Sequence, residues 1–551
     1  MSSYYRLVKG AARAAVDAIP TEFKEALRNK LNASLKPAIR TELKAELRAE
    51  LKAELTAELK AELKAELIRI VTTAIAFRND LPARIEDFCQ RVRASLGQQT
   101  SAASLATLEI DLRQLVRVGA GLPLNLPTPL EAADLLQEVS YLHANAELLR
   151  PMFEAMRARR VLFCGQAYYN AWYLSRALRK LGWKADVYNW DENPLAQIYY
   201  HGQDFQLGID IPATLENCLA FYVSSLYAYD IFHFSNAHGI SFGWQLETAL
   251  REQLGTGAEI QLIKALGKII MYSQNGCHDG VSQTAFSQWG PESVCSTCRW
   301  QHEPTVCSDE RNLAWGKFRN SVADFQCCMG INLLDHNDDP RVHAVPEFYC
   351  LDPDFWHPQI EIPQQYRLPR VAADVVRLYH AVGHRAERTR SDGVNIKSSH
   401  VYLPLIERLR AEGMVLELIE PTGIPNKEVR FLQAQADIFL DMLTYGWFGA
   451  NIREAMMLAK PVICFIRPEW LASLREEIPA YADELPIISA TPQTVELVLR
   501  DLIAHPDKRR EIGLRGRQFA MKWHSDTAAG RRFDQIYSKL LAGNPLLRLK
   551  A

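Results

Sequence analysis

The sequence lacks any long apolar run. No stretch approaches the roughly 18 consecutive apolar residues that a membrane-spanning helix needs. The amino-terminal segment also lacks the apolar centre of a signal peptide, because Arg13 and Asp17 interrupt the apolar residues between Ala11 and Ile19. We therefore expect a cytoplasmic protein without a membrane-spanning helix.

The sequence also lacks an excess of charge of either sign. Its 63 lysines and arginines and 65 aspartates and glutamates give a net charge of −2. No overall basic field therefore favours binding to nucleic acid. Several of the 11 cysteines stand alone in apolar surroundings, such as Cys164, Cys218 and Cys464. That pattern is typical of a reducing compartment and argues against a framework of disulfides.

Residues 1–70 carry an unusual repeat, in which an apolar residue falls at every fourth position from Phe23 to Leu67. From Thr41 onward the repeat is nearly pure Lys-Ala-Glu-Leu, and these residue types favour helix. The four-residue period is longer than the ~3.6 residues of a helical turn, so the leucine stripe winds slowly around a straight helix. A stripe that winds in this direction favours a right-handed supercoil with a partner helix. We predict a long helix that joins copies of this chain in a coiled coil through residues 23–67. A single extended helix that acts as a spacer is the alternative.

Two segments flank that repeat. Residues 1–20 combine Tyr4 and Tyr5 with Arg6, Lys9 and Arg13, and this composition suits a peripheral contact with anionic lipid. A loose, solvated terminus is the alternative. Residues 71–155 show leucines at helical spacing and a proline-rich break from Leu122 to Pro129, which predicts a helical connector.

From Arg160 onward, short apolar runs alternate with helix patterns. The predicted strands of the first half are Val161–Gly165, Ala185–Tyr188, Tyr229–Phe234 and Lys268–Tyr272. Such alternation indicates a parallel sheet with right-handed crossovers. A proline-rich hinge near residues 361–370 precedes a second half that opens with a strand at Val375. We predict an α/β fold of two doubly wound, Rossmann-like domains, residues 156–362 and 363–540, followed by a tail, residues 541–551.

The stretch from Asp437 to Ile466 shows the order strand, loop, helix, strand. The apolar run Ile438–Leu440 leads into a loop with Gly446 and Gly449, and a helix pattern follows from about Asn451. Glycines let a backbone approach a ligand, and the helix behind such a loop directs free N–H groups and its positive dipole end at that ligand. The pattern favours a bound nucleotide diphosphate.

The string Gly446-Trp-Phe-Gly-Ala-Asn-Ile-Arg-Glu454-Ala-Met, followed by Lys460-Pro-Val, resembles the donor-site signature of GT-B glycosyltransferases, especially the family-4 group. In that family a Glu-x7-Glu pair frames the loop. The second glutamate holds the ribose of the sugar nucleotide, and the first faces the donor sugar. The resemblance assigns Glu454 to the second position and Gly446 to the first, where the carboxylate is missing. Asn451-x-x-Glu454 is also a capping-box spacing, in which Glu454 would only satisfy the start of the helix.

The same resemblance implies a cationic site for the leaving diphosphate. The family has an Arg and a Lys after the strand that opens the second domain, and Arg385 and Lys397 match them best. Arg388 and Arg390 compete for the arginine role, and a solvated basic loop is the alternative. The phosphates would also bind the backbone at the loop and the helix start, namely Gly449, Ala450, Asn451 and Ile452.

The resemblance further implies two loops in the first domain that face the sugars. The loop with Asn275 and Gly276 would face the donor sugar, although Asn275 stands where the family often has histidine. The loop after the strand Tyr229–Phe234 carries His238, a candidate catalytic or acceptor contact for which a surface histidine is the alternative. The segment from Trp523 to Tyr537 resembles the final helix of the family, which returns across the first domain.

Four cysteines fall within residues 277–307, which we interpret as an insertion. They are Cys277, Cys295, Cys298 and Cys307, of which Cys295 and Cys298 form a CxxC. A CxxC can bring two thiolates to one tetrahedral ion, and two further cysteines would complete a four-sulfur site. We predict a structural zinc ion here, with free thiols as the alternative.

The resemblance, which covers about residues 160–540, implies a GT-B enzyme that moves a sugar from a nucleotide-diphosphate donor to a glycan, lipid-linked or protein acceptor. It also implies retention of the anomeric configuration without a catalytic metal. The competing interpretation is a non-catalytic assembly protein in which a degenerate transferase fold is carried by the long helix. Gly446 and Asn275 favour that alternative, whereas the set of Arg385, Lys397 and Glu454 opposes it.

Overall fold

A computed structural model describes residues 132–155, 157–209, 212–235, 239–290, 293–330, 333–369, 372 and 374–548. The predicted long helix of residues 1–70 and residues 71–131 of the predicted connector lie outside these ranges. Assembly through residues 23–67 therefore stays a prediction. The described residues divide into two compact units, one holding residues 132–155, 157 and 218–228 and the other holding the rest.

The described part of the first unit is helical. It contains α1 (Ala132–Ala144), α2 (Ala146–Ala155) and residues 218–228 of a later helix. Leu135, Val139 and Leu142 share one face of α1 and are buried, as expected for an amphipathic helix. The Phe153 ring packs against the Tyr227 ring at 5.2 Å between centroids, which ties α2 to the later helix.

The first domain of the second unit is built on a seven-stranded parallel sheet. Its strands are β1 (Arg160–Cys164), β2 (Lys184–Asn189), β3 (Phe205–Gln206), β4 (Ile231–Phe234), β5 (Ile269–Ser273), β6 (Phe325–Cys328) and β7 (Val342–Ala344). Their order is β3-β2-β1-β4-β5-β6-β7, and every pair is parallel. The central strands are buried along nearly their whole length, which explains their continuous apolar sequences.

Helices connect these strands. They are α3 (Asn170–Lys180), α4 (Pro194–Gln197), α5 (Leu215–Ala228), α6 (Trp244–Leu254), α7 (Ala258–Ala265), α8 (Gln283–Ser287) and α9 (Asp309–Val322). Short 3-10 turns occupy Arg299–His302, Asp335–Asn337, Pro346–Phe348 and Gln364–Tyr366.

The second domain is built on a four-stranded parallel sheet of order β11-β10-β8-β9. The strands are β8 (Val376–Tyr379), β9 (Leu416–Ile419), β10 (Ile438–Leu440) and β11 (Val462–Ile463). The last strand is shorter than the apolar run Val462–Ile466 predicts. The chain leaves the β10 ladder there, because Cys464 N–H donates to the Ile488 carbonyl and Phe465 N–H to the Met442 carbonyl.

Eight helices follow in the second domain. They are α10 (Arg385–Arg388), α11 (Ser399–Ala411), α12 (Asn426–Gln433), α13 (Ala450–Met457), α14 (Pro468–Glu477), α15 (Pro479–Glu484), α16 (Val495–Ala504) and α17 (Pro506–Trp523).

The last helix, α18 (Asp526–Leu541), returns to the first domain, as the resemblance implied. It packs on α3 so closely that a Cβ at Gly530 would lie 2.9 Å from the Ala177 Cβ. Trp183 Nε1–H donates to Asp534 at 2.8 Å, and the Tyr537 hydroxyl hydrogen-bonds the His233 ring at 2.7 Å. Two parallel α/β domains with a helix that returns to the first form the GT-B architecture, so the predicted fold class is confirmed for the described residues.

Candidate active site

A cleft of about 870 Å³ lies where the loops after the strands of the two sheets meet. Its walls include residues of the first domain, such as Tyr168, Asn275 and Tyr349, and the loops that follow β8 and β10 in the second. The carboxyl ends of parallel strands are where open α/β sheets bind ligands. The sequence-predicted residues Arg385, Lys397, Gly449, Ala450, Asn451, Glu454, Asn275 and Gly276 all line this cleft.

Lys397 is held at the cleft by a buried ion pair. It lies in the loop between α10 and α11 and is only 9% exposed. Its Nζ donates to Asp441 Oδ1 at 2.5 Å, and Asp441 follows directly after β10. The Asp441 Oδ1 atom also accepts the Met442 N–H at 2.9 Å. The carboxylate is thus fixed by backbone, and it fixes the lysine in turn.

Two arginines of the basic loop also line the cleft. Arg385 begins α10, is exposed, and pairs with Glu420 at 2.8 Å. Arg388 ends α10 beside Tyr168 and Tyr199; burial lowers its pKa, but those tyrosines raise it, and the net pKa lies above the usual range. Arg390 instead pairs with Asp392 at 2.8 Å and donates to the Ser296 carbonyl at 3.2 Å. Arg388 is therefore the second cleft arginine, and Arg390 is not part of the wall.

The start of α13 presents backbone N–H groups to the cleft. Gly449 is its N-cap and provides no capping side chain, so no side chain among the described residues accepts a hydrogen bond from the N–H groups of the first turn. Gly449, Ala450 and Asn451 line the cleft, whereas the Ile452 side chain is fully buried in the core. A helix start of this kind suits an anion.

Glu454 lines the cleft and is fully buried. Its Oε1 accepts the Tyr169 hydroxyl at 2.7 Å and Asn426 Nδ2–H at 3.1 Å, and its Oε2 accepts Gln433 Nε2–H at 2.5 Å. These partners show that Glu454 does not form a capping box with Asn451. The carboxylate instead joins Tyr169 of the first domain to α12 of the second.

Gly446 occupies the position where the family has its first glutamate. Its φ of +99° is a conformation that side-chain-bearing residues rarely adopt, and a Cβ there would lie 3.0 Å from the Arg467 Cβ and Nε. The neighbouring Tyr445 and Trp447 rings, 4.3 Å apart, line the cleft instead. The backbone is therefore built for glycine at this point.

The loop that follows β5 lines the cleft on the side of the first domain. Asn275 N–H and Gly276 N–H donate to Asp279 Oδ2 at 2.6 and 3.1 Å. Asp279 thus holds the loop in a tight turn that faces the second domain. The other predicted residue of this domain, His238, lies outside the described residues.

The four cysteines of the predicted metal site lie near one another as free thiols. Burial raises the pKa of the Cys277 thiol, and the neighbouring Cys298, Cys295 and Cys307 raise it further. Cys307 Sγ accepts Gln283 and Asn312 side-chain N–H groups, each at 3.4 Å. In the described ranges, no group of three or more histidine, cysteine, aspartate or glutamate side chains is arranged to hold a metal ion. The zinc ion stays a prediction.

Sequence reasoning missed the side chains that support the site and one that belongs to it. Asp441, Tyr169 and Gln433 hold Lys397 and Glu454, but no local pattern marks them. Arg453 lines the cleft and is 4% exposed. A basic residue within a largely apolar helix pattern, directly before Glu454, was the one available signal for it.

None of the helices in the described ranges is long and apolar enough to cross a membrane.

No protein-family model matches the chain, and the comparison with curated proteins gives no match. Among solved structures, sucrose-phosphate synthase from Thermosynechococcus elongatus is 16% identical, with a TM-score of 0.43 over 70% of this chain and 100% of that one. HepE of Anabaena in complex with UDP-glucose is 12% identical, with a TM-score of 0.40 over 69% and 99%. The catalytic domain of starch synthase IV from Arabidopsis thaliana, bound to ADP and acarbose, is 11% identical, with a TM-score of 0.34 over 70% and 99%. At these TM-scores the fold assignment rests on the strand order and crossovers of the chain itself, which are those of the GT-B fold.

Proposed function

We propose that this protein is a glycosyltransferase that uses a nucleotide-diphosphate sugar. The observation that carries the proposal is the cleft in which Lys397, Arg385 and Arg388 meet the uncapped start of α13. Arginine and lysine side chains together with a helix start suit a diphosphate. The four lysines and arginines that line the cleft outnumber its two glutamates, which also favours an anionic ligand.

In the proposed reaction, negative charge grows on the leaving diphosphate as the glycosidic bond breaks. Cations that are already in place stabilise this charge more in the transition state than in the bound donor, and this difference lowers the barrier. Lys397 suits that role because Asp441 fixes its position before the donor binds. We propose retention of the anomeric configuration and a glycan, lipid-linked or protein acceptor that enters from the first domain.

Glu454 is proposed to hold the ribose of the donor. An ionised carboxylate offers about four acceptor sites, and three hydrogen bonds from Tyr169, Asn426 and Gln433 are present in the structure. One site therefore remains for a ribose hydroxyl, and more become free if Tyr169 moves away when the domains open. The fixed donors from α12 would keep the carboxylate oriented in either state.

The test is nucleotide release from UDP-, GDP-, ADP-, CDP- and dTDP-sugars by the full chain. We expect one donor class to be hydrolysed slowly, and Lys397→Met and Glu454→Gln to lower that rate by about 10²-fold or more. Lys397→Met leaves Asp441 buried without its cation, so the double variant Lys397→Met/Asp441→Asn should show the same loss if the loss lies in the chemistry.

Arg408→Met is the matched control. Arg408 lies on α11, is exposed and pairs with Glu496 outside the cleft, so its loss should leave the rate unchanged. If no donor is hydrolysed and none binds, the transferase proposal fails and the assembly-protein interpretation replaces it.

A further inference from the structure

Arg453 is a buried cation that the proposed chemistry does not use. It is the fourth residue of α13, lines the cleft and is 4% exposed. Its Nη1 lies 3.2 Å from Met329 Sδ, and its Cζ lies 5.1 Å from the centroid of the Tyr349 ring. Both contacts belong to the first domain, so the guanidinium reaches across the cleft from the second.

Within the described residues, Arg453 has no ion-pair partner, and its Nε atom is buried without a hydrogen bond. The adjacent Glu454 does not compensate for it, because consecutive side chains on a helix point in different directions and the Glu454 oxygens bond Tyr169, Asn426 and Gln433. A buried charge without a partner is costly. A protein retains such a charge readily where a ligand supplies the counter-charge.

The other cations of the cleft differ from Arg453. Lys397 pairs with Asp441 and Arg385 with Glu420, and both partners belong to the second domain. Arg453 instead faces Met329, which follows β6, and Tyr349, which follows β7; the Tyr349 hydroxyl donates to the Gln274 carbonyl after β5 at 2.6 Å. The unbalanced positive charge therefore faces the wall formed by the first domain.

We propose that Arg453 binds the carboxylate or phosphate of an acidic hexose, so that one of the two sugars in the reaction is a hexuronate or a hexose phosphate. A guanidinium presents paired N–H groups that match these oxyanions, with Tyr349 and Met329 as an apolar wall beside the sugar. The inference rests on the proposed function for the claim that sugars occupy the cleft. It adds the chemical class of one of them.

The test begins with calorimetric titration of the full chain with glucuronate, galacturonate, glucose 6-phosphate and mannose 6-phosphate, beside glucose, galactose and mannose. At least one acidic sugar should bind about tenfold or more tightly than its neutral parent. Arg453→Met should remove that preference, Arg453→Lys should keep part of it, and Arg408→Met should not change it. Because Arg453→Met exchanges an unpaired buried charge for an apolar side chain of similar length, its melting temperature should not fall.

Nucleotide release separates the two sources of the acidic group. If the acidic sugar is the acceptor, adding it free should speed release from a neutral donor in the parent chain but not in Arg453→Met. If it is the donor sugar, Arg453→Met should slow release from UDP-glucuronate relative to UDP-glucose.

Three results would overturn the inference. The first is that every acidic sugar binds as weakly as its parent, and the second is that Arg453→Met keeps the preference. The third is that Arg453→Met weakens binding of UDP, GDP, ADP, CDP and dTDP as much as binding of the acidic sugar, because Arg453 would then be a ligand of the diphosphate. Failure of the proposed function gives a different pattern, in which none of these nucleotides binds while the acidic sugars still bind through Arg453.

Discussion

Individual charged side chains give the cleft its chemical character, and two of them, Lys397 and Glu454, are fixed by partners from distant parts of the chain. Lys397 depends on Asp441, and Glu454 depends on Tyr169 and Gln433. A buried charge with matched partners is held rigidly, because moving away from a partner would leave a buried charged group without a hydrogen bond, which is costly. Substitutions of these partners measure how strongly the contacts hold the site.

Tyr169→Phe removes a buried hydrogen bond to a carboxylate. We expect the free energy of unfolding to fall by about 1–3 kcal/mol, because the Glu454 oxygen loses a 2.7 Å bond in a buried setting. Urea unfolding measures this change. Tyr366→Phe is the matched control, since its hydroxyl also donates to a carboxylate, Glu428, but at a more exposed site. If both variants lower the free energy of unfolding equally, burial does not strengthen the Tyr169 hydrogen bond.

Gly446→Glu restores the glutamate of the family but should harm the protein. Glutamate at φ +99° would strain the backbone by about 1–3 kcal/mol. Its side chain would also collide with Arg467, so we expect the free energy of unfolding to fall by more than this strain alone. Gly413→Glu isolates the strain, because its φ is +94° and no atom lies within 4 Å of the added Cβ. If Gly446→Glu costs no more than Gly413→Glu, the contact with Arg467 is not limiting.

At these single positions, sequence reasoning recovers residues with a local motif and misses those defined by contact. Lys397 and Glu454 follow from a spacing that resembles a known family. Asp441 lies 44 residues from Lys397 and Tyr169 lies 285 from Glu454, so only the folded chain pairs them. The charge of Arg453 is visible in the sequence, but its burial without a carboxylate is not.

Among the elements, α13 and α18 matter most for the cleft. The uncapped start of α13 faces the cleft, and α18 packs on α3, the helix that follows the Tyr168 and Tyr169 loop. Packing of α18 against α3 therefore supports the loop that carries a partner of Glu454. A helix from about Asn451 was predicted from its sequence pattern, and the final helix was predicted because Trp523 to Tyr537 resembles the last helix of the family.

Gly530→Ala tests the contact between α18 and α3. Alanine usually stabilises a helix relative to glycine by about 1 kcal/mol, but here its Cβ would lie 2.9 Å from the Ala177 Cβ. We expect a net loss of stability, measured by thermal unfolding. Gly516→Ala in α17 is the matched control, since its Cβ would make only ordinary contacts from 3.5 Å with Met456, and it should be neutral or stabilising. A stabilising effect of both variants would contradict the close packing at Gly530.

The short elements were beyond sequence reasoning for a physical reason. Helices of four or five residues, such as α4, α8 and α10, make too few backbone hydrogen bonds to form without tertiary contacts. The true end of β11 depends on the Ile488 and Met442 carbonyls, which the local sequence does not reveal.

For the whole molecule, the alternation of strands and helices was enough to predict two parallel α/β domains, and the structure confirms them in the described residues. The alternation could not show how the domains meet. Buried histidines lie at that interface: the His201 ring hydrogen-bonds Asn426 of the second domain at 2.7 Å, and the His524 ring hydrogen-bonds the Tyr349 carbonyl of the first domain at 3.1 Å. Burial lowers the pKa of both to about 3.

These histidines predict a loss of stability in acid. An unfolded histidine binds a proton near pH ~6.5, whereas burial keeps His201 neutral until about pH 3. As the pH falls through this window, the unfolded state binds more protons than the folded state, so the free energy of unfolding decreases. Melting temperatures from pH 7.5 to 5 should fall, and His201→Gln should show a shallower fall than the parent chain. Parallel slopes would contradict a neutral, buried His201.

The central claim is that the cleft between the two domains binds a nucleotide diphosphate. Calorimetric titration of the full chain with UDP, GDP, ADP, CDP and dTDP tests it most directly. We predict that at least one of them binds, that Lys397→Met/Asp441→Asn weakens it about tenfold or more, and that Arg408→Met does not. If none of the five binds, or if the double variant binds as tightly as the parent chain, the cleft is not a nucleotide site.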